Sequence, residues 1–222
     1  MKTILILIIS FFSISCITDV NKNGKLSEHN QDPLSINYRY KSKLHYKGSQ
    51  IIPDNCGHYI GENFAGGIVF YIDSTACHGL IAAPYDQAPL ARWENGIFVF
   101  TTLANADGVG AGSGNTKQII YKQEPQAGGI NYAAKICNET VIGAYSDWYL
   151  PSKYELNLMY YSIGQGASAP NTNIGNFPEA WYWSSTEADS ATAWRQAFYV
   201  GLGWQVKFEK FYDFRIRAIR AF

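Results

Sequence analysis

The stretch Gly66-Gly67-Ile68-Val69-Phe70-Tyr71-Ile72 decides the fold class. Its apolar, β-branched and aromatic residues are bounded by glycines and by Asp73, a pattern typical of a short strand. Residues 73–78 are predicted to form a turn, and Gly79-Leu80-Ile81-Ala82-Ala83-Pro84 follows as the partner strand. The sequence therefore predicts an antiparallel hairpin at this point.

Helical patterns follow in the middle of the chain. Apolar residues recur with the spacing of one helix face at Ile130, Ala133, Ala134, Cys137 and Val141. Further on, Pro151-Ser152-x-x-Glu155 is a capping box that predicts a helix start, with Leu156, Met159 and Tyr160 as its buried stripe.

The last third of the chain returns to strand patterns. Trp204, Val206 and Phe208 alternate with polar residues. Phe214, Ile216 and Ala218 alternate with arginines until the phase slips at Ala218-Ile219, which suggests a bulge, and further strands are predicted near 181–186 and 194–200. The order of strands, helices and strands predicts an α+β domain with an antiparallel sheet, two to three helices and long loops.

Composition excludes two broad classes. Lys+Arg and Asp+Glu both total 18, so there is no basic excess of the kind that nucleic-acid binders carry. Charged residues make up 16% of the chain and aromatic residues 15%, which argues against disorder and for a packed core.

The N-terminus is typical of a secreted protein. Lys2 precedes an apolar run from Ile4 to Phe12, which is too short to span a membrane and fits a signal peptide. Ser13-Ile14-Ser15-Cys16 resembles a lipobox, so residues 1–15 are predicted to be a lipoprotein signal peptide and Cys16 the lipid anchor. The alternative is an ordinary signal peptide with a chance cysteine. Residues 16–55 are polar and aperiodic and are predicted to be a tether, followed by a domain over 56–222.

Three cysteines remain in the predicted mature protein after Cys16. At most one internal disulfide can form from Cys56, Cys77 and Cys137. Because Cys137 lies on a predicted helix face, Cys56–Cys77 is the favoured pair.

The sequence gives little support for catalysis or cofactor binding. Gly112-Ser113-Gly114-Asn115-Thr116-Lys117 lacks the residue order of a phosphate-binding loop, and no Gly-x-Ser-x-Gly elbow is present. No cysteine pair has zinc-ligand spacing. We therefore expect no enzyme activity, no metal and no cofactor.

Two clusters could bind a partner. One consists of tryptophans, Trp181, Trp183, Trp194 and Trp204, whose alternation along strands favours a core role, although an exposed indole would stack on sugar rings. The other is basic: residues 195–222 carry six basic residues, Arg195, Lys207, Lys210, Arg215, Arg217 and Arg220, against Glu209 and Asp213. This cluster is either a face that attracts acidic partners or a solvated strand face with internal ion pairs.

Several ordered motifs resemble a known family. They are Gly66-Gly67-Ile68-Val69-Phe70-Tyr71, His78-Gly79-Leu80-Ile81-Ala82-Ala83-Pro84, Gly112-Ser113-Gly114-Asn115-Thr116, Ser146-Asp147-Trp148-Tyr149-Leu150-Pro151-Ser152, Tyr182-Trp183-Ser184-Ser185-Thr186-Glu187 and Arg215-Ile216-Arg217-Ala218-Ile219-Arg220-Ala221-Phe222. Together they resemble the C-terminal domain of the Legionella collagen-like adhesin, over residues 59–222. The resemblance implies a C-type-lectin-like fold, in which N- and C-terminal strands pair. The named adhesin binds extracellular matrix and sulfated glycosaminoglycans, but this chain lacks its collagen-like stalk.

These observations lead to one expected function and two alternatives. We expect a protein anchored by lipid to the bacterial outer membrane or cell surface, which binds an extracellular matrix protein or a sulfated polysaccharide without calcium. The expected contact residues are Trp204, Lys207, Lys210, Arg215 and Arg217. The alternatives are a non-adhesive structural envelope lipoprotein and, less favoured, a cryptic enzyme.

Overall fold

The computed structural model describes residues 56–96, 101–124 and 130–222, together with the backbone of 46–47 and 50–51. The predicted signal peptide, the anchor residue Cys16 and most of the predicted tether lie outside the described residues. Within the range predicted as tether, β1 (Tyr46–Lys47) pairs antiparallel with β2 (Gln50–Ile51).

The remaining elements follow the predicted order of strands, helices and strands. The first strands are β3 (Asn63–Phe64), β4 (Gly67–Ile72), β5 (Gly79–Ala82) and β6 (Ala88–Ala91). The helices are α1 (Ala111–Gln123), α2 (Ala133–Asn138) and α3 (Lys153–Ile163). The last strands are β7 (Trp181–Glu187), β8 (Thr192–Ala197), β9 (Gln205–Glu209), β10 (Phe214–Ile216) and β11 (Ile219–Ala221). The α+β class is confirmed.

One sheet contains the predicted hairpin. Its strand order is β11-β5-β4-β3, and all of its neighbours are antiparallel. The backbone of Gly79 exchanges hydrogen bonds of 3.2 and 3.1 Å with that of Phe222, so the end of the chain is held beside the first hairpin. Tyr149 bridges Ile219 on the other side of β11.

The second sheet is mixed, which corrects the expectation of a purely antiparallel arrangement. Its strand order is β6-β10-β7-β8-β9, and β10 runs parallel to β7. The phase slip at Ala218-Ile219 is not a bulge in one strand. The chain leaves β10 at Ile216 and enters β11 of the other sheet at Ile219, so the alternation restarts there.

The helices match the local signals to different degrees. Ser152 and Glu155 form the predicted capping box of α3. By contrast, α2 is shorter than the pattern suggests: Ile130 and Val141 lie outside it and are 48% and 65% exposed. Tyr132, in an extended conformation at the N-cap, keeps the helix from starting earlier.

Glu155 also joins α3 to the start of α1. Its buried carboxylate accepts hydrogen bonds from the backbone N–H groups of Gly110 at 2.8 Å and Gly112 at 3.1 Å, besides that of Ser152 at 2.8 Å. Gly112 permits this close approach, since a Cβ there would lie 2.7 Å from the Leu150 carbonyl oxygen. The carboxylate thereby satisfies N–H groups at two helix starts.

Two hydrophobic clusters form the core, one around Trp93, Trp148 and Trp183 and the other around Phe70, Tyr160 and Phe198. Cys56 and Cys77 form a disulfide, and Cys137 is a buried free thiol.

Candidate functional site

Lys210, an expected contact residue, is buried and ion-paired. Its Nζ lies 2.6 Å from Oε1 of Glu187, and both side chains are no more than 3% exposed. The same carboxylate accepts hydrogen bonds from Thr101 Oγ1 and from the backbone of Thr102 and Leu103. Burial alone would raise the pKa of Glu187, but hydrogen bonds from Lys210 and Thr101 reverse this and bring it below its ordinary value. The expectation that Lys210 contacts a ligand is therefore wrong.

Arg217 is likewise an internal residue. Its guanidinium donates to Asp86 at 2.7 Å and to the carbonyl oxygens of Ala83 and Gly175, and the residue is 1% exposed. Arg215 donates to the same Asp86 at 2.8 Å, although it is partly exposed. Arg217 cannot contact a surface ligand, which corrects that expectation, and Arg215 already has an anionic partner.

Two of the expected contact residues remain on the surface, Trp204 and Lys207. Trp204 is 62% exposed, and Lys207 is exposed on β9. The Lys207 ammonium lies 5.6 Å from the ring of Trp194, its cross-strand neighbour, while Lys153 lies 4.5 Å from the same ring. Lys207 and Trp204 differ by an odd number of residues along a continuous hairpin, so their side chains leave opposite faces of the sheet.

The face that carries Trp204 holds an unusual arginine. The Arg195 guanidinium carbon lies 4.0 Å from the ring centre of Trp181, 3.7 Å from that of Phe208 and 4.3 Å from that of Phe214. Arg195 lies on β8, and the three rings come from β7, β9 and β10. We call this set, with Trp204, the aromatic–arginine face: Trp181, Arg195, Trp204, Phe208 and Phe214.

Strand register places Trp204 next to this arrangement. Ala197 of β8 lies opposite Trp181 of β7 on one side and opposite Trp204 on the other. Its backbone N–H donates a 2.9 Å hydrogen bond to the Trp204 carbonyl oxygen. Residues opposite each other in adjacent strands share a face. The small Ala197 side chain therefore lies between the two indoles, and Trp204 extends the ring surface toward solvent.

The Arg195 guanidinium has no hydrogen bond or ion pair in the described part of the chain. Its Nε is buried without a partner, while the side chain as a whole is only partly buried. Burial lowers the pKa of Arg195, an effect that the nearby Glu209 carboxylate opposes. An arginine keeps its charge at neutral pH, so this is a fixed cation that is partly removed from water and lacks a paired anion.

Sequence reasoning counted Arg195 among the basic residues but did not single it out. The available signal was the alternation of β7 and β8, because Trp181, Trp183 and Arg195 fall on one face once those strands are paired. The pairing with β9 and β10, which supplies Phe208 and Phe214, comes only from the tertiary structure.

Other features of the described chain do not bring reactive or ligand-binding side chains together in this way. A cavity of about 300 Å³ is lined by Asn63, Phe64, Ala65, Gly66, Gly67 and Pro84, none of which is titratable. Cys137 is fully buried, and burial raises the pKa of its thiol. Among the described residues, no group of three or more His, Cys, Asp and Glu side chains is placed to hold a metal ion, and no helix is both long and apolar enough to cross a bilayer.

No protein-family model matches the chain, and no curated protein matches it. Among solved structures, the chain is similar to a fimbrial protein from Bacteroides ovatus ATCC 8483, with a TM-score of 0.45 and 14% identity. The similarity covers 78% of this chain and 46% of that one, so the chain spans less than half the length of the fimbrial protein.

Proposed function

We propose that the chain is a surface-binding protein that uses the aromatic–arginine face to bind sulfated glycans of an extracellular matrix, without calcium. The observation that carries the proposal is the unpaired Arg195 guanidinium, which is held against three rings beside the exposed Trp204. The role is one of binding and not of catalysis.

The chemistry of Arg195 suits an oxyanion on a sugar. A guanidinium donates two parallel hydrogen bonds to a sulfate or carboxylate, and such bonds are stronger where water is partly excluded. The surrounding rings fix the side chain before a ligand arrives, so less conformational entropy is lost on binding. An incoming anion would also neutralise a charge that has lost part of its hydration.

The aromatic residues suit the sugar ring itself. Trp204 is 62% exposed and lies one small residue away from Trp181. Exposed indoles stack on the apolar face of sugar rings, while an adjacent cation selects acidic sugars. Ring and cation together favour a sulfated glycan over a neutral glycan or a simple anion.

The architecture supports a related proposal about the fold. We propose that the domain is C-type-lectin-like and related to the C-terminal domain of the Legionella collagen-like adhesin. The pairing of β5 with β11, which brings the two ends of the domain together, supports this. Anchoring by lipid on Cys16 at the outer membrane or cell surface belongs to the same proposal and rests on the N-terminal sequence.

Binding of the purified protein to immobilised heparin across a salt series tests the function. We expect saturable binding that weakens with salt, and a loss of about tenfold or more in affinity for Arg195→Ala, the scale of a charge-assisted hydrogen bond. Trp204→Ala should lower the affinity by a factor of about two to ten. Arg195→Lys keeps the charge but not the planar fork, so it should recover only part of the loss.

Two matched variants control for general charge and surface effects. Lys117 and Tyr121 are both exposed on α1 and do not belong to the aromatic–arginine face, so Lys117→Ala and Tyr121→Ala should bind as the wild type does. Circular dichroism of every variant separates loss of binding from loss of fold. Equal binding by Arg195→Ala and Lys117→Ala would refute the site, and a folded wild type that binds neither heparin nor matrix protein would favour the structural lipoprotein.

A further inference from the structure

The outer strand β9 leaves main-chain hydrogen-bonding groups open to another strand. It stands at one end of the five-stranded sheet. Ala197 N donates to Trp204 O and Lys210 N donates to Ala191 O, so even-numbered residues bond to β8. The N–H and C=O groups of Gln205, Lys207 and Glu209 therefore point away from the sheet, because the two directions alternate in an antiparallel strand.

These outward groups are largely unused in the described part of the chain. The Glu209 carbonyl oxygen accepts a 3.3 Å hydrogen bond from Tyr212 N, and no other partner is found there for the outward backbone groups of Lys207 and Glu209. The opposite edge of the sheet differs, since β6 carries Pro89, which cannot donate to a neighbouring strand. The open edge of the sheet is thus β9.

The charged side chains of β9 indicate which kind of strand could pair with it. Lys207 and Glu209 are exposed, and neither forms an ion pair with any described residue. A lone lysine on an edge strand discourages pairing with other strands. A lysine followed two residues later by a glutamate is instead complementary to an antiparallel copy of itself.

We propose that the protein forms a two-fold symmetric dimer through antiparallel pairing of β9 with β9 of a second copy, centred on Phe208. In this register Lys207 of each copy lies opposite Glu209 of the other, and both pairs are of the hydrogen-bonded type. About four main-chain hydrogen bonds and two cross-strand ion pairs result. A register centred on Lys207 would put two lysines opposite each other, which is unfavourable.

In the dimer, the five-stranded sheets of the two copies join into one continuous sheet. The aromatic–arginine faces of both copies lie on the same side of it. Phe208, at the centre, would lie next to Phe208 of the second copy, where side chains of a non-hydrogen-bonded pair come closest. The two aromatic–arginine faces would then lie side by side on one surface. Two linked sites raise the avidity for a repetitive ligand without any new contact to it.

Sedimentation velocity of the full chain in detergent solution, over a concentration series, tests the dimer by charge exchange. We expect the wild type to dimerise. Lys207→Glu alone and Glu209→Lys alone should each weaken the dimer about tenfold or more, because symmetry places like charges opposite each other twice. The double variant Lys207→Glu/Glu209→Lys restores both ion pairs and should recover the wild-type dissociation constant.

Each other outcome overturns the proposal. A wild type that stays monomeric throughout the series excludes the dimer, and single variants that dimerise as the wild type does place the contact elsewhere. Failure of the double variant to recover rules out this register, provided circular dichroism shows that it is folded. Trp204→Ala changes a side chain four residues from Phe208, so it should weaken heparin binding and leave the dimer unchanged. Failure of the dimer proposal and failure of the heparin proposal can therefore be told apart.

Discussion

The buried ion pair between Glu187 and Lys210 should stabilise the domain, and its two ends should differ in importance. In Glu187→Gln the Lys210 ammonium stays buried, 4.7 Å from the Trp93 ring, with the Ser190 carbonyl oxygen and a neutral amide as acceptors. Leaving a buried charge without its partner costs about 3–5 kcal/mol. For a domain of this size that corresponds to a fall in Tm of about 6–20 °C.

Lys210→Met should cost less. The Glu187 carboxylate would keep three hydrogen bonds, from Thr101 Oγ1 at 2.5 Å and from the backbone N–H groups of Thr102 and Leu103 at 2.8 Å each. Methionine fills most of the volume of the lysine stem, so the loss is mainly one charge-assisted hydrogen bond, about 1.5–3 kcal/mol. In the double variant the two costs should overlap by at least about 1 kcal/mol.

Urea unfolding followed by far-ultraviolet circular dichroism measures these free energies. Lys117→Met and Glu139→Gln change exposed residues of the same types and should stay within about 0.5 kcal/mol of the wild type. The reasoning is refuted if Glu187→Gln costs no more than its control, or if the two single costs add without any coupling. Heparin binding by a folded Lys210→Met protein should equal that of the wild type, because Lys210 does not reach the surface.

Three further predictions concern other parts of the molecule. Gly112→Ala should destabilise the fold by about 1–3 kcal/mol, because its Cβ would meet backbone atoms of Leu150 and Ser152 just before α3. Gly114→Ala has open space around it in the same helix and should stabilise the fold by up to about 1 kcal/mol. Chemical unfolding that ranks the two variants the other way would contradict the packing at this junction. The pKa of Glu187 is lowered from 4.5, so its ionised form stabilises the fold above about pH 4.5, and this contribution is lost as the pH falls through the lower folded-state pKa. Glu187→Gln should therefore lose less stability than the wild type when the pH is lowered. An equal loss in the two proteins would contradict the lowered pKa of Glu187. Cys16→Ala should move the protein into the aqueous phase of a detergent partition, and a variant that stays with the detergent would exclude the lipid anchor.

Features set by neighbouring residues could be predicted from the sequence. The capping box of Ser152 and Glu155 depends on a spacing of three residues, and the hairpin of β4 and β5 depends on apolar runs separated by a short turn. Both are present as predicted. The sequence did not reveal that Glu155 also binds the start of α1, because Gly110 and Gly112 are more than 40 residues away.

The candidate site could be predicted only in part, for a physical reason. A count of charges cannot tell a solvated cation from one paired in the interior, and the pairing depends on distant residues. Asp86 meets Arg217 across 131 positions, and Glu187 meets Lys210 across 23. Of the five expected contact residues, only Trp204, beside a hairpin turn, and Lys207, on an edge strand, are exposed.

The return of the last strands to the first hairpin determines when the domain can fold. Until β10 and β11 are in place, Asp86 lacks both arginines and β5 lacks a neighbour on one side. The native contacts of Asp86 and β5 therefore require residues 214–221, and forming them closes loops of more than 100 residues, which is typical of slow folding. A protein shortened before Ile216 would keep the capping box of α3 and the first hairpin, yet Asp86 would lack Arg217 and β5 would lack β11.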